Sequence, residues 1–234
     1  MKKKKFKIIM LAIAALAVAG GAYALFDALY QDSHFYSTEN AQVSADMVSV
    51  YPLVTGKLID WNVKLGDIVK ADEVLGRQDT AALITSSSVN SSALGSSADA
   101  VANKSVIVSP IDGMVIQTTV VNGQTVAPGT ALAVIAKVSD MYITANIEET
   151  NILKIREGQP VDITIDAYPG RAFHGYVIEI GKATNSLFNM FANITTSGTF
   201  SKTTQLIPVK ISIEDADGLT LIPGINATVK VHIQ

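Results

Sequence analysis

No cysteine occurs among the 234 residues. That absence excludes a disulfide scaffold, a thiolate zinc site, a cysteine nucleophile and a lipid anchor attached through a cysteine. Histidine is scarce, with three copies, and charged residues make up only 17% of the chain. Read along the sequence, none of His34, His174 and His232 has a second histidine or a carboxylate at ligand spacing, so exposed structural positions are expected for all three. No G-x-S-x-G, G-x-G-x-x-G or phosphate-loop pattern is present. The pair Glu148-Glu149 fits no acid/base couple, because adjacent residues on a helix point apart; a solvated helix start is expected there. The expectation is a non-enzyme with no catalytic residue, no metal ligand and no cofactor-binding residue.

Long apolar runs are also missing, except one. MKKKKFK is followed by an uncharged stretch from Ile8 to Phe26, ended by Asp27. Nineteen helical residues at about 1.5 Å each approach the roughly 30 Å hydrocarbon core of a bilayer. A retained single-pass anchor is expected, with the lysines in the cytoplasm and everything after Phe26 outside. Cleavage as a signal peptide competes with it, since Ala22-Tyr23-Ala24 offers a small-x-small site. Five lysines within residues 2–7 supply +5 of a formal net charge of −3, so the remainder carries −8. An acidic exported portion does not suit nucleic acid or an anionic membrane surface.

What is present is a repeat. VYPLVTGKLIDWNVKLGDIVKADEVL (50–75) and VSPIDGMVIQTTVVNGQTVAPGTAL (108–132) align without a gap when Gly56 is laid on Gly113. Gly66 then meets Gly123, Val69 meets Val126 and Leu75 meets Leu132. Each copy has an extended run, a glycine-centred turn (Leu65-Gly66-Asp67, Asn122-Gly123-Gln124) and a second extended run, which reads as a β-hairpin written twice. Alternating apolar positions bury only one face, so each copy needs the other as a cover. Trp61, in step with Ile59 and Val63, is expected in the shared core. Between the copies lies a tract rich in Ser and Ala, the composition of a linker or weak helix.

The last third alternates at period two. Ile143, Ala145 and Ile147 form one such set, Val161, Ile163 and Ile165 another, Val209, Ile211 and Ile213 a third, and Val229, Val231 and Ile233 a fourth. That density predicts a small antiparallel barrel or sandwich. EETNILKIREG reads as one short helix ending at Gly158. Residues 184–205 show neither period and read as a long loop, whose Leu187, Phe188, Met190 and Phe191 are candidates for a binding surface.

The doubled motif resembles the biotinyl/lipoyl fold, in which two half-motifs interlock. In carriers of that fold a methionine-flanked lysine in the joining turn is modified. The lysine here, Lys104 in Ala-Asn-Lys-Ser, lacks flanking methionines and a tight turn, so no biotin or lipoyl group is expected on it. A split lipoyl-like domain after one membrane helix and before a β-barrel resembles the membrane fusion (periplasmic adaptor) proteins of the haemolysin-secretion and EmrA-like branch. TENAQVSADMVSVYPLVTGKL resembles their opening strand and first half-motif, SVIVSPIDGMVIQTTVVNGQTVAPGTAL the second, ITANIEETNILKIREGQPVDITIDAYPGRAFHGYVIEI their barrel and TQLIPVKISIEDADGLTLIPGINATVKV its closing strands. Most members insert a long helical hairpin between the half-motifs. About 25 residues stand there now, and two helical arms of ~10 residues would extend only ~15 Å. A host without an outer membrane, a pump that works without the channel, and an engineered excision all read alike.

The fold expectation is mainly β: an N-terminal transmembrane helix, a split lipoyl/biotinyl-like β domain and a small antiparallel β-barrel with one short helix. The boundaries are 1–7 cytoplasmic tail, 8–26 membrane helix, 27–40 juxtamembrane linker, 41–79 plus 105–137 lipoyl-like domain, 80–104 linker in place of the hairpin, and 138–234 barrel. The resemblance implies a non-enzymatic adaptor subunit of an efflux or secretion pump. It also implies an inner-membrane transporter as partner, with a major-facilitator carrier favoured over an ABC transporter, and self-association into a ring. An exported envelope structural or surface-binding protein is the alternative.

Overall fold

A computed structural model describes residues 34–79, 104–187, 204–214 and 219–233, with 20–22, 26 and 216 besides. In chain order its strands are β1 (Phe35–Ser44), β2 (Met47–Val50), β3 (Gly56–Trp61), β4 (Ile68–Val69), β5 (Val74–Asp79), β6 (Val106–Val108) and β7 (Gly113–Thr118). They continue with β8 (Thr125–Val126), β9 (Ala133–Ala136), β10 (Tyr142–Glu148), β11 (Pro160–Ile165), β12 (Ala172–Ile180), β13 (Leu206–Ser212) and β14 (Asn226–His232). The chain divides into two compact units, one of residues 44–142 with 221–223 and one of the remainder.

The second of these units is a closed barrel in the order β1-β10-β13-β12-β11-β14. Its interior is the alternating set read from the sequence: Ile143, Ala145, Ile147, Val161, Ile163, Ile165, Val209, Ile211, Val229 and Val231 are all essentially sealed from solvent. Burying a Val or Ile contributes roughly 1.5–3 kcal/mol. Phe173 and Val177 on β12 complete the lining. The 27–40 linker reading is corrected here, since residues 35–40 are the first half of β1. The five strands after residue 138 would leave β10 and β14 as open edges, and β1 closes the gap, lying antiparallel to β14 with Tyr36 opposite Val231 and Ala41 opposite Ala227. Polar Ser37 to Asn40 concealed the strand, because only Ala41 and Val43 of β1 are buried.

The predicted helix in EETNILKIREG shrinks to a single 3-10 turn, Ile152–Lys154. Glu148 ends β10 and Glu149 starts the following turn, so neither begins a helix. No helix among the described residues is long and apolar enough to cross a membrane. The 8–26 run lies largely outside them, as do 80–103 and 188–203.

The unit of residues 44–142 holds two four-stranded sheets, β2-β9-β7-β4 and β6-β5-β3-β8. The repeat's 57-residue offset maps one sheet onto the other, β2 on β6, β9 on β5, β7 on β3 and β4 on β8. The hydrogen bonds obey the same offset. Gly66 N–H donates to the Val115 carbonyl at 2.8 Å, and Gly123 N–H donates to the Leu58 carbonyl at 2.6 Å. Val115 N–H reaches Asp67 O at 2.9 Å, and Leu58 N–H reaches Gln124 O at 2.8 Å. The reading of two self-paired hairpins is therefore corrected. The arms β3 and β4 do not pair with each other: β3 pairs with β5 and β8, and β4 with β7. Each copy hands its second arm to the other copy's sheet.

Both copies also carry a β-bulge at the same place, between Leu58 and Asp60 and between Val115 and Gln117. The extra residue reverses the alternation. Ile59 is consequently 57% exposed and does not share the buried face of Trp61 and Val63. Trp61 itself is in the core, and its Nε1–H donates to Thr118 Oγ1 at 3.1 Å, the position that corresponds to Trp61 in the other copy. Leu58, Val115, Leu75, Leu132 and Ile135 fill the space between the sheets. Gln78 stands where the second copy has Ile135; its Nε2 donates to Val54 O at 3.1 Å, and its buried Oε1 has no protein partner.

Candidate functional site

One titratable cluster lies on the barrel wall. On three adjacent strands, Asp162 of β11 accepts from both flanking imidazoles: His232 Nε2 stands 2.8 Å from Oδ2, and His174 Nδ1 stands 3.3 Å from Oδ1. The expectation that these histidines have no carboxylate beside them is corrected. Asp162 is opposite His174 in the β11–β12 register and one strand away from His232, contacts that sequence spacing does not display. His232 is also partly covered, with the Phe35 ring meeting it edge-on at 4.8 Å. His34 is the exposed residue immediately before β1, and its carbonyl accepts from Ile233 N–H at 2.8 Å.

Burial pushes the Asp162 carboxyl up, but hydrogen bonds and charge from His232 and His174 together outweigh it and leave the group below its ordinary value. A carboxyl depressed in the folded state stabilises the fold above its unfolded value of about 3.9, and that contribution disappears as pH falls through the lower folded value. Asp162 is 45% exposed, so screening keeps the effect under ~1 kcal/mol. Asp162→Asn is expected to flatten the acid limb of barrel stability between about pH 5 and pH 3. Denaturant unfolding at both pH values measures it, and an unchanged difference between them would count against the cluster.

The cluster holds no nucleophile, and no group of three or more His, Asp or Glu side chains among the described residues is arranged to hold a metal ion. Lys104 is exposed, ahead of β6. Exposed apolar side chains are the other surface feature. Leu65, Ile68 and Val121 sit on the turns and edge of the two-sheet unit, each more than two-thirds exposed, and Leu153 at the 3-10 turn of the barrel is 89% exposed. Leu187 is 45% exposed; Phe188, Met190 and Phe191 lie outside the described residues.

Residues 46–138 match the family model described as the RND MFP barrel-sandwich hybrid domain, and residues 141–231 match the YknX-like beta-barrel domain. Over 201 residues the chain is 38% identical to the putative efflux system component YhbJ of Bacillus subtilis, covering 86% of this chain and 81% of that protein. The chain belongs to the membrane fusion protein family. It is also 32% identical over 131 residues to the colistin resistance protein EmrA of Acinetobacter baumannii, a match that covers 56% of this chain and 37% of EmrA. The chain thus spans only about a third of the length of that relative.

The fold of a membrane fusion protein is seen directly in a MacA–MexA chimera that carries the Pseudomonas aeruginosa MexA α-hairpin domain. It superposes with a TM-score of 0.68 at 21% identity over 86% of this chain and 83% of the chimera. Members of this family are adaptors, which are structural subunits. In that light the interlocked sheets are the hybrid domain, and exposed apolar residues stand on its turns and on the barrel.

Proposed function

We propose that this chain is the single-pass, membrane-anchored adaptor subunit of an efflux pump, with its N-terminus in the cytoplasm and its hybrid and barrel domains outside. The observation that carries the reading is an interlocked hybrid domain and a closed barrel in one chain, whose sequence is similar over most of its length to a putative efflux system component. The lysine-flanked apolar run 8–26 supplies the anchor. An inner-membrane transporter is the partner, with a major-facilitator carrier preferred to an ABC transporter, and copies pack side by side into a ring around the exit path. The action is mechanical: the adaptor holds and seals, and the transporter supplies the work.

Alkaline carbonate extraction with N-terminal sequencing tests the anchor. Full-length chain is expected in the membrane pellet, and a soluble product beginning near Leu25 sinks it. Cross-linking in mild detergent is expected to yield both higher-order self-adducts and a multispanning transporter, and deletion of the chain should lower drug export. If export is unaffected and no transporter is cross-linked, the adaptor reading gives way to an envelope-binding protein.

A further inference from the structure

Where β1 begins and β14 ends, the barrel has a cleft of about 520 Å³. Apolar Phe35, Pro160 and Ile233 line it together with Arg156, His34 and His232 and one carboxylate, Glu157. Its size is that of a small-ligand site.

Arg156 is held in place at its root. Its backbone N–H donates to Gln159 Oε1 at 2.9 Å, and Gln159 Nε2 donates back to Lys154 O at 3.2 Å. Gly158, at φ +83°, turns the chain so that its N–H reaches Val177 O at 2.8 Å. The loop that presents the guanidinium is thereby pinned to β12. No described carboxylate lies within ion-pair distance of Arg156. His232 differs, since its ring is already bonded to Asp162. An arginine without a carboxylate partner leaves its guanidinium fork open to the oxygens of a carboxylate or phosphate, the pairing that bidentate recognition uses. The apolar residues that line the same cleft, Phe35, Pro160 and Ile233, have no purpose for a bare inorganic ion.

We infer that this cleft binds an amphipathic anion, with a phosphate or carboxylate head on Arg156 and an alkyl portion against Phe35, Pro160 and Ile233. Two sources share that chemistry: a soluble amphiphile, and the head of an anionic phospholipid, which Arg156 would hold locally although the exported portion as a whole is acidic. The lipid source draws on the membrane anchor proposed above, because only seven residues separate Phe26 from His34 and even fully extended they hold the cleft within roughly 30 Å of the apolar run. Binding itself needs no anchor.

The test uses the full chain in phosphatidylcholine nanodiscs, titrated with hexyl phosphate and followed by calorimetry. Hexyl phosphate is expected to bind at least tenfold more tightly than inorganic phosphate or hexanol. Arg156→Gln should weaken it at least tenfold, and Glu157→Gln should tighten it about threefold by removing the one opposing charge in the cleft lining. Both side chains are exposed, so neither change threatens the fold. Adding phosphatidylglycerol to the discs separates the sources. Competition that weakens hexyl phosphate in the wild type and vanishes in Arg156→Gln identifies the lipid, and no competition identifies the soluble amphiphile. If the chain fails to enter discs, the anchor reading fails, and the same titration on the free chain still measures the cleft. Equal affinity for hexyl phosphate and inorganic phosphate, or for wild type and Arg156→Gln, overturns the inference.

Discussion

Gly113→Ala is expected to lower the melting temperature of the hybrid domain by more than 10 °C. A Cβ at Gly113 would lie 2.3 Å from the Ala136 carbonyl oxygen, 2.9 Å from its carbonyl carbon and 2.9 Å from Ile135 Cγ2. The first two are backbone atoms in β9, so no rotamer change relieves them. Relief requires β7 to move, and β7 is paired on both sides: Met114 lies opposite Ala136 of β9, and Gly113 lies opposite Val69 of β4. The second pairing is one of the exchanges that lock the two copies together. Overpacking commonly costs about 1–3 kcal/mol, and a clash with fixed backbone belongs at or above the upper end. For a domain of this size, 1 kcal/mol corresponds to about 4–8 °C. The chain carries one tryptophan, Trp61, buried between the sheets, so its emission reports this domain alone. A Trp-monitored transition within 2 °C of wild type would show that the close approach of β7 to β9 is not a feature of the protein in solution.

The counterpart in the barrel is Gly175→Ala, which is expected to remove the barrel's cooperative transition at temperatures where the Trp61 signal stays native. The added carbon would stand 1.9 Å from the Ser212 carbonyl oxygen and 2.9 Å from its carbon, with Ile163 Cδ1 at 3.1 Å. Gly175 lies opposite Val161 in the β11–β12 register, and its neighbour Tyr176 donates its N–H to Ser212 Oγ at 2.8 Å. Room for a methyl group therefore means parting β12 from β13, and a barrel opened at one seam exposes two strand edges at once. The cost is about 3 kcal/mol or more, a large share of the 5–15 kcal/mol that holds a typical domain together. Far-ultraviolet circular dichroism follows both units, whereas tryptophan emission follows one. Separate shifts for the two variants are the expected pattern. A single transition moving equally in both signals would mean that the hybrid domain and barrel unfold together.

Both variants act at glycines whose role is invisible in the sequence. Gly113 was legible as a repeat landmark, because it aligns with Gly56, but the atom that demands it belongs to Ala136, 23 residues away. Gly175 had no sequence signal at all. The candidate site divides in the same way. That catalytic motifs are missing was readable residue by residue, whereas the His174–Asp162–His232 cluster and the Arg156 cleft were not. Strand register assembles the first from positions up to 70 residues apart, and the second brings the start of β1 beside the end of β14.

By itself the sequence determined the repeat and its 57-residue offset, the alternation that lines the barrel, the shared core around Trp61 and the family resemblance. These follow from side-chain periodicity, which is local and needs no knowledge of the partner strand. Tertiary structure alone decided the pairings. The same alternating arms satisfy their backbone hydrogen bonds equally well within a copy or across copies, and what selects the exchanged arrangement is that the two buried faces must cover each other. It likewise decided that Phe35–Ser44, polar through its first half, becomes a barrel strand. A closed ring of six strands leaves no unpaired edge, and that requirement belongs to the whole barrel and to no single segment of it.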